Sequence, residues 1–227
     1  MKKTLPVAPA RNGETKTAIL NAAERLFAAH GFNATSLRAI TAEAQANLGA
    51  VNYHFASKDA LILAVLRRRV QPSNEERIAL LDCFEKDAAG QPLTIERILE
   101  ALFRPPTELV ARGAKGGRYL VRLMALALAE PGSVLQPLIQ EEFAEKNRRF
   151  HAAIRRAVPY LSSDEVHWRL HFAHGVFLHA VAHSNVLELS SNGRCRHHSV
   201  EGTLRRMIGF CAAGIAAREN VKRKKTK

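Results

Sequence analysis

Apolar residues recur at helical spacing from the beginning of the chain. The first apolar set follows the i, i+3, i+4, i+7, i+8 pattern of one helix face: Ile19, Ala22, Ala23, Leu26, Phe27. Gly31 is placed to end this helix, and Phe32 is placed to pack back on its last turn. The pattern therefore predicts an amphipathic helix from about Glu14 to His30.

Two short helices are predicted next, joined by a three-residue turn. Thr35 and Ser36 open the second helix, which runs through Ala44. Residues 45–47 make the turn, and Asn47 can cap a third helix from Leu48 to about His54. A longer helix followed by two short ones across a tight turn is the helix-turn-helix arrangement.

The rest of the chain also reads as helices, divided by proline and glycine. Ser57 caps a fourth helix, in which Pro72 predicts a kink or a restart. Further helices are expected at 73–88, 93–111 (broken near Pro105 and Pro106), 117–130, 134–157, 163–187 and 199–217, with residues 188–198 as the longest loop. No segment alternates with the period of a strand, so an all-α fold is expected.

This pattern predicts four parts: a flexible basic arm at 1–12, a three-helix helix-turn-helix domain at 13–60, a larger helical effector-binding and dimerisation domain at 61–217, and a basic tail at 218–227.

Composition adds that positive charge is concentrated at both ends. The net charge is +13; residues 1–69 carry ten Lys and Arg against four Asp and Glu, and residues 218–227 carry six against one. Such clustering favours a polyphosphate partner, although a solvated basic surface accounts for it equally well. No apolar run is long enough to span a bilayer, and three scattered cysteines suggest no disulfide framework, so a cytoplasmic protein without a membrane partner is expected.

Two segments closely resemble a known family. Residues 44–61 read AQANLGAVNYHFASKDAL and residues 19–32 read ILNAAERLFAAHGF. Both are similar to the TetR family of bacterial transcriptional repressors, and the VNYHFxSK variant is typical of a subgroup that includes the fatty-acid-responsive regulator PsrA. Two positions depart from the family pattern. Gln45 stands where the family usually has glycine, so the turn is expected to manage without a positive φ, and Asn52 replaces a common tyrosine.

The resemblance implies a double-stranded DNA operator read by the third helix. Its N-terminal residues would face base edges: Asn47, Leu48, Gly49, Ala50. Asn52 would contact an adenine or a phosphate. Phosphate contacts are expected from residues around this helix: Thr35, Ser36, Arg38, Tyr53, His54, Lys58. Val51 and Phe55 are expected to pack inside the small domain.

The resemblance further implies a homodimer, a pseudo-palindromic operator and a small hydrophobic effector such as a fatty acid or acyl-CoA. Small residues on the last two helices suit a dimer interface: Gly175, Ala182, Gly209, Ala212, Ala213, Gly214. The effector site is expected to contain apolar side chains with a basic group for a carboxylate or acyl-CoA: Arg118, Arg122, Met124, Phe143, Trp168, His171, Phe172. By spacing alone, the same apolar stripes are helix core.

Other chemistries have weaker support. His167 with His171, and His179 with His183, stand at i, i+4, a spacing that also fits a metal-responsive regulator or a helical metalloenzyme. An aromatic, drug-like effector is a further alternative to the fatty-acyl one. No HExxH pattern, nucleophile–base pair or phosphate-binding glycine loop is present, so no catalytic residue, metal site or cofactor is predicted. Cys195 lies between two arginines, which could lower the pKa of its thiol. It is therefore either a redox-active thiol or an exposed thiol without a function.

Overall fold

A computed structural model describes residues 12–111, 115–129, 135–195 and 199–218. Within these ranges the chain is helical and contains no strand, which confirms the all-α prediction. The helices are α1 (Asn12–His30), α2 (Leu37–Glu43), α3 (Leu48–Phe55), α4 (Lys58–Asp87), α5 (Ile95–Ala111), α6 (Lys115–Ala129), α7 (Leu135–Pro137, continuing as a π-helical turn over Leu138–Glu142), α8 (Ala144–Ala157), α9 (Ser163–Ala182), α10 (Ser184–Ser190) and α11 (Val200–Ala216). None of the helices in the described ranges is long and apolar enough to traverse a lipid bilayer. The predicted arm at 1–12 and most of the tail at 218–227 lie outside the described residues.

The chain divides into two compact units. Unit 1 consists of Met1–Gln71 and Arg118–Glu142, and unit 2 consists of Pro72–Gly117 and Phe143–Lys227. The division at Gln71 falls inside α4, which continues without interruption.

Unit 1 is organised around the buried face of α1. Four of the five residues predicted from spacing are buried, and Leu26 is partly buried. The four are buried together with residues of α2, α3 and α4: Ile19, Ala22, Ala23, Phe27, Ile40, Val51, Phe55, Leu61, Val65. The Phe32 ring packs edge-on against Phe27 at 5.4 Å, as its place after the helix stop predicts. Glu24 of α1 is also buried, and its carboxylate accepts hydrogen bonds from both Arg68 and Arg69 of α4.

Unit 2 is a bundle in which α5, α8, α9 and α11 share one apolar core. Its largest members come from all four helices and from the second half of α4: Leu81, Ile98, Leu99, Leu102, Phe103, Phe150, Ile154, Val166, Phe177, Leu204, Met207. Burial of such side chains is the main favourable contribution to the stability of a bundle of this kind.

The proline residues do not break the helices where they were expected to. α4 runs through Pro72, so the predicted restart was wrong, and the alternative of a kink stays a prediction. α5 runs through both Pro105 and Pro106, so the predicted break was wrong. A proline removes the hydrogen bond to the carbonyl four residues earlier. In α5 the carbonyl that Pro106 leaves free belongs to Leu102, and Nε of the buried Arg77 donates to it at 2.8 Å. Tertiary hydrogen bonding therefore replaces what the helix loses.

Two predicted long helices are divided instead. The expected helix 134–157 is interrupted by the π-helical turn and resumes at Ala144. The expected helix 163–187 ends at Ala182, and α10 occupies the first part of the predicted loop 188–198. Ser162 caps α9 by accepting a hydrogen bond from the Glu165 backbone N–H at 3.1 Å.

Candidate nucleic-acid interface

The two short helices of unit 1 are fixed at their N-termini by their own side chains. Ser36 Oγ accepts from the Ala39 backbone N–H at 3.1 Å, and Asn47 Oδ1 accepts from the Ala50 N–H at 2.8 Å. Both capping residues have extended backbones, as N-caps require. A Cβ on Gly49 would lie 3.2 Å from Asn47 Oδ1, so the small residue leaves room for this cap. The predicted starts of α2 and α3 follow from these local contacts.

The turn between α2 and α3 differs from expectation. Gln45 itself adopts a positive φ of 52°, so the expectation that the turn manages without one was wrong. A backbone hydrogen bond stabilises the turn: the Ala46 N–H donates to Thr41 O at 3.0 Å. A non-glycine residue in this region is strained by about 1–2 kcal/mol relative to a right-handed conformation. The turn geometry is thus kept even with the less favourable residue.

The exposed side of α3 forms a surface that we call the reading face. Its members are exposed: Leu48, Gly49, Asn52, Tyr53. Tyr53 is the most open of them, with 75% of its surface exposed, and its ring lies 5.1 Å from that of His54. Val51 and Phe55 occupy the opposite side and are buried, as their predicted packing role requires. A short helix so arranged presents one side to a partner and uses the other to attach to the domain.

The residues flanking the reading face are not equally accessible. Ser36 and Arg38 are exposed at the start of α2. Lys58 is partly buried, and its ammonium donates to Asn33 O at 3.4 Å. Thr35 is buried, and its hydroxyl donates to Gly31 O at 2.8 Å, so it does not lie on the surface as a phosphate contact would. Ala50 and His54 are partly buried.

One contact that orders α2 was not anticipated from the sequence. Arg25 Nε of α1 donates to Glu43 Oε1 at the end of α2, at 2.7 Å. The two residues are 18 positions apart, and no motif spacing signals the pair. Exposed pairs of this kind are worth little to stability, but this one restrains α2 against α1.

A strained turn joins α3 to α4. Ala56 has a φ of 61° and a ψ of −39°, and the Ser57 N–H donates to Phe55 O across it at 2.7 Å. This is a γ-turn of the rare, positive-φ form. Ser57 then caps α4 through the Ala60 N–H at 3.0 Å. The turn reverses the chain within two residues, immediately beside the reading face.

The predicted effector residues are scattered. Trp168, His171 and Phe172 lie on the exposed side of α9, where Trp168 and Phe172 expose 59% and 60% of their surface, away from the buried core of unit 2. Arg122 is exposed and donates to Ala29 O at the end of α1, at 3.2 Å. Phe143 is partly buried in unit 2, Met124 is partly buried in unit 1, and the side chain of Arg118 lies outside the described residues.

The histidines of α9 likewise do not converge. His167 stacks on His151 at 4.2 Å, His179 stacks on His183 at 5.1 Å, and His174 is turned inward to Leu170 O. In the described part of the chain, no three His, Cys, Asp or Glu side chains are grouped as a metal site would need.

Comparison with known proteins identifies both parts of the chain. Residues 19–65 match the family of bacterial regulatory proteins, tetR family, and residues 100–214 match the tetracyclin repressor-like C-terminal domain, which by itself covers half of the chain. The HTH-type transcriptional repressor Rv3405c of Mycobacterium tuberculosis is 48% identical over 168 residues, which is 71% of this chain and 76% of that one. UidR of Escherichia coli K12 is 42% identical over 52 residues, and this match spans only 23% of the chain and 26% of UidR.

Solved structures show the same fold. A TetR-family regulator from Shewanella superposes with a TM-score of 0.65 at 18% identity, over 90% of this chain and 99% of that one. The fatty acid degradation regulator FadR of Bacillus halodurans superposes with a TM-score of 0.63 at 12% identity, over 94% and 100%. These relatives are transcriptional regulators and not enzymes. The membership of the PsrA subgroup is untested by these matches and stays a prediction. The capped short helices, the exposed reading face and the two matching domains together place this chain in the TetR family of helix-turn-helix transcriptional regulators.

Proposed function

We propose that the protein is a cytoplasmic repressor that binds a pseudo-palindromic operator as a homodimer and is released by a small hydrophobic effector such as a fatty acid or acyl-CoA. The observation that carries the DNA-binding part is that the reading face of α3 is exposed, while Val51 and Phe55 on the opposite side of the helix are buried. A regulator of this family needs such a surface to enter the major groove.

The contacts to DNA follow from this geometry. Leu48, Gly49 and Ala50 approach the base edges at the start of α3, together with the side-chain N–H₂ of Asn47, since the oxygen of Asn47 is used by the cap. Asn52, one turn along the same side, makes a bidentate contact with an adenine. We leave Thr35 out of the set because its hydroxyl is buried and already bonded.

Phosphate contacts surround the base contacts. Ser36, Arg38, Tyr53, His54 and Lys58 supply hydroxyl, guanidinium, phenol, imidazole and ammonium groups around the reading face. Such contacts set the register of the protein on the duplex without reading its sequence.

The second copy packs on the exposed side of α9 and α11. Large apolar side chains stand there in the open (Trp168, Phe172, Phe210), next to glycines whose added Cβ would meet nothing: Gly175, Gly209, Gly214. Ala182 and Ala213 are exposed too, whereas Ala212 belongs to the core and is left out of the interface. An exposed apolar surface with small residues suits close helix packing between two subunits. Trp168, His171 and Phe172 are therefore assigned to this interface and not to the effector.

Selection of bound duplexes from a random pool with the full chain tests the proposal. The expected product is a two-fold symmetric site whose half-sites are about one helical turn apart. Asn52→Ala should relax the preference at one base pair of each half-site, with a loss of about 1–3 kcal/mol of binding free energy. Lys58→Ala should weaken binding to every sequence alike and reduce the salt slope by about one.

Lys86, an exposed lysine on α4 in unit 2, provides the matched control, because Lys86→Ala should change neither affinity nor salt slope. Failure of the pool to yield any symmetric site would remove the proposed function, and an unchanged salt slope in Lys58→Ala would remove Lys58 from it.

A further inference from the structure

Two cations lie in the core of unit 2 without an acidic partner among the described residues. Arg77 of α4 and Lys146 of α8 expose only 7% and 4% of their surface. Within the described ranges, no ion pair is formed by either residue. Arg77 donates to Leu102 O and to Asn74 Oδ1, which are both neutral acceptors. The charge of each side chain is therefore uncompensated where water is excluded.

The surroundings of Lys146 make this arrangement more costly. Its ammonium lies 3.4 Å from Nε2 of His174 and 4.6 Å from the centre of the Phe143 ring. His174 Nδ1 faces Leu170 O at 2.7 Å, which favours the tautomer with the proton on Nδ1 and leaves Nε2 to accept from Lys146. We call Arg77, Lys146 and His174 the buried basic cluster.

The electrostatics agree with this geometry. Burial, followed by the charge of Arg77, lowers the pKa of Lys146 well below its usual 10.5. Burial lowers the pKa of Arg77 to about 10. Burial and the nearby Lys146 lower the pKa of His174 to about 3. Uncompensated buried cations are among the most unfavourable groups a core can contain, and one anion placed between Arg77 and Lys146 would compensate both.

An unpartnered hydroxyl lies on the same side of α4. Ser73 is buried, and its Oγ has no hydrogen-bond partner in the part of the chain that the structure describes. Ser73 and Arg77 are four residues apart on a continuous helix, so their side chains share one face. A buried hydroxyl is normally hydrogen-bonded, so this one has an unfilled place for an acceptor oxygen.

Aromatic rings border the cluster. Phe103 and Phe177 are stacked at 5.2 Å, Phe103 meets the edge of the His174 ring at 6.1 Å, and Phe143 lies over the ammonium of Lys146. Such a border suits an apolar group attached to an anion. Arg77 also has a structural role, because it donates a hydrogen bond to the Leu102 carbonyl that Pro106 leaves free. Lys146 has no comparable structural role.

We infer that Ser73, Arg77 and Lys146 hold the anionic group of the effector, and that the effector is a small organic carboxylate whose apolar part lies against Phe103 and Phe143. This inference rests on the proposed function, since it names the chemistry of the effector that releases the repressor. It moves the carboxylate partner from Arg118, Arg122 and His171 to the interior of unit 2.

Calorimetric titration and thermal unfolding of the full chain test the inference with octanoate and benzoate, each beside its neutral alcohol, and with octanoyl-CoA. An acid should bind saturably and raise Tm, while its alcohol at the same concentration should not. Lys146→Met should weaken acid binding about tenfold or more, and Ser73→Ala about threefold. Lys146→Arg, which keeps the charge, should retain most of the affinity and decides the matter if Lys146→Met does not fold.

Arg148→Met is the matched control, because Arg148 lies two residues from Lys146 on the same helix but is exposed and paired with Glu145. Its affinity for the acid should equal that of the unaltered chain. Equal binding of acid and alcohol, binding of octanoyl-CoA alone, no acid binding at all, or full acid affinity in Lys146→Met would each overturn the inference. Operator binding, measured on the same samples without any acid, separates this result from failure of the proposed function.

Discussion

The two units treat buried charge in opposite ways. In unit 1 the buried carboxylate of Glu24 receives hydrogen bonds from two arginines, Arg68 and Arg69, so its negative charge has cationic partners. In unit 2 the buried Arg77 and Lys146 have only neutral acceptors in the described residues. Hydrogen bonding to Glu24 raises the pKa of Arg69, whereas burial lowers the pKa of Lys146. Charge matched inside the fold serves stability, and charge left unmatched inside it indicates a ligand.

The sharpest way to break this contrast is to remove Glu24. Glu24→Gln should lower the free energy of unfolding by about 3 kcal/mol, because it leaves Arg68 and Arg69 without their buried partner. Denaturant unfolding measures the loss. Glu43→Gln, which breaks the exposed pair with Arg25, is the control and should change stability by less than about 1 kcal/mol. Equal losses in both variants would show that burial of Glu24 adds nothing.

Acid titration examines the unmatched charge in unit 2. The unfolded chain protonates His174 near its ordinary 6.5, but the folded chain does so only near 3, under the influence of burial, Lys146, Arg77 and His171. The unfolded state therefore binds more protons between these values, and stability should fall as pH drops from about 6.5 to about 3. Relative to His174→Gln, the loss should be on the order of 3 kcal/mol.

The exposed His171, three residues earlier on α9, supplies the control. His171→Gln removes only the weakest of the influences on the pKa of His174, so it should keep most of the acid sensitivity of the unaltered chain. An identical pH profile for His174→Gln and the unaltered chain would show that the His174 ring is protonated in the folded state as readily as in the unfolded state.

Replacing Lys146 should change the free energy of unfolding in the opposite direction to replacing Glu24. Lys146→Met should raise the free energy of unfolding of the ligand-free protein by about 2 kcal/mol near neutral pH, because it removes an unmatched buried cation. The folded pKa of Lys146 lies below the unfolded one, so the stability of the unaltered chain should rise with pH between them. The gain in free energy of unfolding of Lys146→Met over the unaltered chain should then become smaller as the pH approaches 10.5. A destabilised Lys146→Met at all pH values contradicts the contrast between the units.

The smallest expected effect concerns strain in the turn of unit 1. Gln45→Gly should stabilise the protein by about 0.5 kcal/mol, since relief of the positive φ exceeds the entropy that glycine adds to the unfolded chain. Gln91, an exposed loop residue of unit 2 without a positive φ, is the control. Gln91→Gly should be neutral or slightly destabilising in the same thermal melts, and a destabilised Gln45→Gly would show that the strain is negligible.

Local chemistry explains what could be predicted from the sequence. Asn47, Ser57 and Phe32 act on neighbours within five residues, so the starts of α3 and α4 and the end of α1 were predicted correctly. The break predicted at Pro106 was wrong because the hydrogen bond that the proline removes is replaced by one from Arg77, which is 29 positions away in the chain. Distance along the chain hides such compensation.

The candidate sites follow the same division. The exposed and buried sides of α3 follow from periodicity within one short helix, and the DNA contacts expected there stay predictions. Thr35, which precedes α2, was expected to contact phosphate but is buried. The buried basic cluster unites α4, α8 and α9, and no spacing in the sequence shows that Arg77, Lys146 and His174 meet. Apolar stripes suggested Trp168 and Phe172 for the effector because periodicity finds a helix face without telling which side is buried.

The discontinuity of unit 1 bears on how such regulators can be recombined. The chain leaves unit 1 after Gln71, returns at Arg118 and leaves again after Glu142. Two sets of contacts attach residues 118–142 within unit 1. Arg122 donates a hydrogen bond to Ala29 O at the end of α1, and Arg67 of α4 binds both Glu141 and Glu142. A fusion that transplants residues 1–71 alone onto another effector domain would lose these bonds. A chimera with altered operator specificity should therefore exchange the reading face of α3 by itself, or carry residues 118–142 with the N-terminal segment.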